Sequence, residues 1–257
     1  MKLATFNING IKARLPRLLE WLESANPDVV CLQEIKSQDE GFPRLEFESL
    51  GYQVETHGQK SFNGVALLSK LPMENVGRGL PGDDADEQAR FIYADIAGVF
   101  IACLYLPNGN PCPGPKYDYK LSWMERFHSF AAQKLAEERP AIFAGDYNVI
   151  PQAIDAYDAS DWLDDALYRP ETRQTFRRFE NLGFTDALRA IQPEGAAYTF
   201  WDYQRGAWQK DHGIRIDHIM MSPQAADLLE SGGVDRAARA KEKSSDHTPV
   251  WVTLKAA

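Results

Sequence analysis

The feature that most narrows the possible folds is a repeated change of hydrophobic period, in which short apolar runs stop abruptly at polar residues. "DVVCLQE", "FIACLYLP", "AIFAGDYNVIP" and "RIDHIMMS" carry the β-branched and aromatic residues of buried strands. Strands are also expected at "KLATFNIN", "YQVETH", "GVALLS", "YTFWDY" and "PVWVTL". The run "FIYADIAGVFIACLYLP" predicts a hairpin turning at Ala97-Gly98. Helical spacing falls between them: Leu15, Leu18, Leu19 and Leu22 share a face, with Pro16 placed in the first turn. Further helices are expected at "RLEFESLG", "YKLSWMERFHSFAAQKLAEE", "RQTFRRFENLG" and "PQAADLLES". Because helices follow some strands and hairpin-like neighbours also occur, mixed sheets are expected, and so many strands imply two sheets packed together.

Composition sets the outer bounds. With 257 residues, 44% apolar and 25% charged, the chain has ample core, and without a Gly/Ser-rich linker residues 1–257 read as one domain. No apolar run approaches the ~20 residues of a membrane span, and "MKLATFNING" lacks a signal-peptide core, so a cytoplasmic monomer is expected. Cys31 and Cys103 fall inside strand-like runs and read as buried thiols; Cys112 makes the set odd. A net charge of −9 argues against indiscriminate polyanion binding, but acid gathered around a cation leaves room for basic loops that grip a phosphate backbone.

The polar residues at strand ends carry the chemistry. Asn7 closes the first strand, Glu34 the second, Asp146 and Asn148 the central "GDYN", and Asp246 and His247 precede the last. Singly, each has an ordinary explanation as a turn former, strand cap or solvated end. Asp217 is harder to explain so, because a carboxylate within "RIDHIMM" needs a partner. If strands of both directions present these ends at one rim, they form a single polar site.

Six loci in order, "FNING", "LQE", "YLPNG", "GDYNV", "RIDHI" and "SDHTPV", resemble the exodeoxyribonuclease III and abasic-site endonuclease family of the endonuclease/exonuclease/phosphatase superfamily. The resemblance implies a DNase I-like four-layer α/β sandwich and a DNA-repair phosphodiesterase using Mg2+ or Mn2+. Its implied substrate is double-stranded DNA with abasic sites or blocked 3′ ends. The implied metal set is Asn7, Glu34, Asp146, Asn148, Asp246 and His247, and the implied catalytic set is Tyr105, Asp146, Asn148, Asp217 and His247. Asp146 and Asn148, at i and i+2 of an extended segment, are expected to point to one side, with Asp146 activating water. Asp217 is expected to orient His247. Spacing does not separate a general base from a charged phosphate clamp, and the clamp is the reading adopted for His247.

DNA contacts are expected from Lys12 and Arg14, from Lys60 and Asn63 in "QKSFNG", from Asn108, from Lys116 after "NPCPGP", and from Phe200 and Trp201 as walls for a baseless sugar. The aspartate-rich "YDASDWLDDALYRPETRQTF" resembles a family insertion that approaches DNA. Asn9 stands where some relatives carry an acid, and Ile214 where certain relatives carry a bulky aromatic. The competing readings are a phosphodiesterase of the same fold acting on lipid or inositol phosphates, and a non-catalytic damaged-DNA binding module.

Overall fold

A computed structural model describes residues 1–255; Ala256 and Ala257, which the sequence reading included in its domain, lie outside the described residues. The chain runs through β1 (Lys2–Asn7), α1 (Ile11–Ala25), β2 (Val29–Gln33), α2 (Arg44–Glu48), β3 (Gln53–His57), β4 (Val65–Ser69), β5 (Met73–Arg78), β6 (Phe91–Ile96) and β7 (Val99–Tyr105). It continues through α3 (Pro115–Ala136), β8 (Ala141–Asp146), α4 (Pro170–Asn181), β9 (Thr185–Asp186), α5 (Ala187–Ile191), β10 (Asp217–Met221), β11 (Leu229–Val234) and β12 (Val250–Leu254), with short helical turns between.

Two six-stranded mixed sheets result, ordered β11-β12-β1-β2-β4-β3 and β5-β6-β7-β8-β10-β9. Leu3, Cys31, Leu67, Ile101, Cys103, Ile142 and Val252 are among the side chains packed between them. Outside the first sheet, Leu18, Trp21 and Leu22 of α1 cover Ala4, Phe6 and Val30; outside the second, Trp123, Phe127, Phe176 and Phe179 of α3 and α4 cover Phe91 and Phe143. This is the expected four-layer sandwich, because strands buried on both faces need a second sheet on one side and helices on the other.

The topology gathers the strand ends. Each sheet contains one parallel pair, β1 with β2 and β7 with β8, and each pair is joined through a helix, α1 or α3. The antiparallel partners β12 and β10 begin where β1 and β8 end, so Asp217 sits opposite Asp146 and Tyr105 beside Asp146. Four C-terminal ends and two N-terminal ends thereby share one rim.

Several local expectations differ. Pro16 lies at the sixth position of α1, where it forgoes a helical N–H bond to Lys12. "YTFWDY" forms no strand; only Phe200 makes isolated bridges, to Ile214 and His247. The "PQAADLLES" helix is confined to Pro223–Ala226, and its tail becomes β11, an edge strand completed by backbone pairing with β12. Edge strands β5 and β9 were not foreseen. No described helix is long and apolar enough to cross a membrane.

Candidate active site

Asn7 is the joint of the two sheets' carboxylates. Its Nδ2 donates at 2.9 Å to both Glu34 Oε1 and Asp146 Oδ2. Glu34 follows β2 in left-handed backbone at φ 50°, an unusual conformation for a glutamate, held by neighbouring bonds from Ile35 N to Gly64 O and from Lys36 N to Asn63 O. Lys36 Nζ approaches Glu34 Oε2 at 2.9 Å and donates to Asn9 Oδ1 at 2.6 Å, while Asn9 Nδ2 donates to Asp246 Oδ1 at 2.9 Å. Asn9 thus ties Asp246 to the lysine beside Glu34.

Asp146 and Asn148 do not share an extended segment. β8 stops at Asp146, Asn148 adopts φ 47°, and the Asp146 carboxylate closes the turn by accepting from Asn148 N at 2.9 Å. Asn148 Nδ2 donates to Leu106 O at 2.9 Å, and its Oδ1 accepts from Asn108 Nδ2 at 3.1 Å. Below them, Lys120 is fully buried in α3 and donates from Nζ to the carbonyls of Asn108, at 3.0 Å, and Asn148, at 2.6 Å.

Asp217 Oδ2 lies 2.8 Å from His247 Nδ1, and His247 Nε2 lies 3.8 Å from Asp146 Oδ2. The Phe200 ring meets the imidazole edge-to-face at 5.0 Å. Burial opposes a charge on His247, but Asp217 and then Asp146 outweigh it and push its pKa up to about 10. Burial raises Asp146 to about 7 despite the imidazolium, with Asp217 adding repulsion. Burial likewise pushes Glu34 up, but hydrogen bonds from Asn7 and Lys36 prevail and hold it below its ordinary value. Tyr105 is driven well up by burial and by the charges of Glu34 and Asp146, which keeps it a phenol and a donor.

The site therefore holds a low-affinity carboxyl for protons at Glu34, a proton acceptor poised near neutrality at Asp146, and a cation at His247. Glu34, Asp146 and His247 bring ligand-type atoms within 4.8 Å of one another; because a cationic imidazole has no free lone pair, the two carboxylates are the candidate metal ligands, and His247, expected among them, stands beside the centre as a cation. Carboxylate oxygens suit a hard divalent cation, so the donor set fits the expected Mg2+ or Mn2+. Of the other residues expected to ligate, Asn7 turns its amide nitrogen to the carboxylates and Asn148 spends both amide atoms on Leu106 and Asn108, whereas Asp246 gives Oδ1 to Asn9 and keeps Oδ2 without a protein partner among the described residues.

Among the expected DNA contacts, Lys12, Lys60, Asn108 and Lys116 are exposed, and Arg14, partly buried, donates to Tyr203 Oη at 3.2 Å. Asn63 is nearly buried and spends its Nδ2 on Gln59 Oε1 at 2.9 Å. Phe200 stays partly open beside His247, whereas Trp201 has no exposed surface, packs edge-on against Trp208 and donates from Nε1 to Asp211 at 3.0 Å. Trp201 is a core residue and not a wall, because its ring is enclosed by Tyr198 and Trp208 and its N–H is satisfied by Asp211. Lys36 and Lys120 were missed; the signal for Lys120 was a lysine on the same helix face as Trp123, Met124 and Phe127.

Comparison with known proteins agrees with this geometry. The sequence profile described as the endonuclease/exonuclease/phosphatase family matches residues 4–247. The chain is 35% identical to exodeoxyribonuclease III of Haemophilus influenzae, over 99% of this chain and 100% of that one. It superposes on the AP endonuclease of Archaeoglobus fulgidus with a TM-score of 0.96 at 35% identity, covering 100% of both chains. The 3′-5′ exonuclease NExo of Neisseria meningitidis gives 0.97 at 36% identity, again over 100% of both; a Neisseria NExo, described as a 3′ phosphatase, has also been solved bound to product DNA hairpin. With its fold, its rim of strand-end carboxylates and its full-length relatives in agreement, the chain belongs to the endonuclease/exonuclease/phosphatase family.

Proposed function

We propose that this hydrolase is a divalent-metal-dependent DNA-repair phosphodiesterase that cuts duplex DNA 5′ of abasic sites and trims 3′ ends. The observation that carries the reading is the Asn7 amide spanning Glu34 and Asp146, with the Asp217–His247 pair 3.8 Å beyond. Glu34 and Asp146 would hold Mg2+ or Mn2+, which supplies charge neutralisation at the phosphate when bound. Asp146, whose carboxylate is fixed by the Asn7 amide and by Asn148 N, accepts the proton of the attacking water. His247, kept cationic by Asp217, and the Tyr105 phenol face the non-bridging oxygens, where negative charge develops. Attack at phosphorus forms the new P–O bond to water's oxygen and breaks the P–O3′ bond; the departing O3′ takes a proton from solvent, leaving a 3′-hydroxyl and a 5′-phosphate. Asn148, fixed by Asn108 and Leu106, positions the phosphate or the water.

A gel assay on a duplex with one central abasic site tests this, run beside undamaged, nicked and 3′-phosphate duplexes. Incision 5′ of the abasic site with a 3′-hydroxyl product, some 3′ trimming, and loss of both in chelator are expected. Cleavage confined to lipid or inositol phosphates, or full activity in excess chelator, would overturn the reading.

A further inference from the structure

Behind the end of β1 lies a cleft to which none of the roles above is assigned. Side chains alternate along an extended chain, so Asn7 reaches the carboxylates while Phe6 and Ile8, on either side of it, pack toward α1. With Trp21 and Ala238 they line a cleft of about 270 Å³ between α1 and the helical turn Arg236–Arg239. Phe6 and Trp21 meet edge-to-face at 5.9 Å, and the Trp21 indole N–H is already spent on Asp235 Oδ2 at 2.8 Å, so these walls offer carbon. Ser245 borders the cleft as well, its hydroxyl donating to Asn7 O at 2.7 Å. Glu34, Asp146 and His247 are not among the walls, which sets this cleft apart from the rim.

The mouth carries the charge. Arg14, Arg17 and Lys241 border it against a single acid, Glu20. Glu20 accepts from Arg17 Nη1 and from Lys241 Nζ, each at 2.8 Å, so two of the cations already share a carboxylate at the edge of the cleft. They keep donors to spare, since an ammonium has three and a guanidinium five, of which Arg17 gives one more to Glu242 O at 2.9 Å. Arg14 donates from Nη2 to Tyr203 Oη at 3.2 Å, and its Nε is buried with no partner among the described residues. On a chain of net charge −9, this is a local excess of positive charge over an apolar floor. The volume falls below that of sites enclosing a cofactor or a drug-sized ligand and suits one large side chain. A phosphate backbone would meet the cations and leave the carbon walls wet. An acidic peptide with one large apolar residue uses both, its ring in the cleft and its carboxylates on the cations.

We infer that this cleft docks a partner protein through an acidic peptide segment anchored by one aromatic side chain, seated behind the strand end that carries Asn7. The inference concerns recruitment and stands apart from the hydrolysis proposed above. The test is fluorescence anisotropy in chelator, with a fluorescein-labelled acidic peptide holding a single phenylalanine, beside the same peptide with serine in its place. The phenylalanine peptide should bind at least about tenfold more tightly. Lys241→Glu should weaken its binding by about tenfold while DNA cleavage stays at the wild-type rate. Ala238→Phe, which fills the cleft, should erase the advantage of phenylalanine over serine. Because Lys241 is exposed, its variant reads the mouth even where Ala238→Phe disturbs folding. Equal binding of the two peptides, binding of neither, or binding that Lys241→Glu leaves unchanged overturns the inference. Weaker duplex binding by the Lys241→Glu variant with peptide binding intact would assign the cations to DNA and overturn it as well. Wild-type protein that binds the phenylalanine peptide but cuts no DNA would support the docking cleft and sink only the hydrolysis, so the two failures are distinguishable.

Discussion

Asp217 commits one carboxylate oxygen to His247 Nδ1 at 2.8 Å, while its Oδ1 is buried with no partner among the described residues. An arrangement that leaves an oxygen unsatisfied gains little stability from the pair itself, so its return lies in what it does to the imidazole. If Asp217 works only by orienting and charging His247, the two are one unit, and their removal is non-additive. His247→Ala and Asp217→Ala should each lower single-turnover cleavage by roughly two to four orders of magnitude, the range of a lost acid–base or oriented group. The double variant should be little worse than His247→Ala, among variants that still unfold cooperatively. Multiplicative losses would place the work of Asp217 elsewhere. That a carboxylate inside "RIDHIMM" needed a partner was legible, because burial of an unpaired charge is costly in any fold. The environment of Glu34 was not: its φ of 50° and the Lys36–Asn9–Asp246 chain depend on loop geometry that no period in the sequence encodes.

At the scale of elements, the central strands were readable and the edges were not. β2, β7, β8 and β10 are buried on both faces, so their runs are apolar apart from the polar residues at their ends. β5, "MENVGR", and β11, "LESGGV", have little buried surface and form because a neighbouring strand supplies hydrogen bonds, which overrides weak strand propensity. The same limit applies to α3, whose apolar face was clear but whose buried lysine had a use visible only in three dimensions. Lys120 holds two loops at once, through the carbonyls of Asn108 and Asn148, and burial lowers its pKa to about 7 against the pull of Asp165 and Asp146. Lys120→Met keeps most of the stem and strips both carbonyls of their donor. It should cost about 1–3 kcal/mol of stability and lower turnover more than it weakens DNA binding. The exposed Lys116, one turn earlier, gives the contrast: Lys116→Met should weaken binding and flatten its salt dependence while leaving turnover at saturation unchanged. Equal turnover for the Lys120→Met variant and wild type would mean that the two loops are held by their other bonds.

For the whole molecule, the segment from Tyr147 to the start of α4 is joined to the second sheet through a buried charge cluster. Arg215 donates from Nε to Asp155 at 2.7 Å and from Nη1 to Asp186 at 2.6 Å; the same Nη1 lies 3.0 Å from His218 Nδ1, and the other imidazole nitrogen meets Val149 O at 3.0 Å. The geometry requires a neutral imidazole that accepts from Arg215 and donates to Val149 O, and burial, followed by the nearby guanidinium, lowers the pKa of His218 to about 4 from an ordinary 6.5. The unfolded chain therefore takes up a proton near pH 6.5 that the folded chain refuses until about pH 4. Stability contributed by the neutral ring is full above pH 6.5 and is lost as the pH falls through that window, by roughly 2–3 kcal/mol at its acid end. Glutamine can accept from Arg215 and donate to Val149 O without titrating, so His218→Gln should be somewhat less stable at neutral pH yet lose less on acidification. Denaturant unfolding of both proteins in chelator at several pH values between 7 and 4.5 reads the difference directly, because every other group titrates in both. Converging curves are expected; curves that stay parallel would mean that His218 titrates alike in the folded and unfolded chain, and curves that diverge on acidification would mean that it is already protonated in the fold and that the cluster binds its loop by charge rather than by the neutral ring.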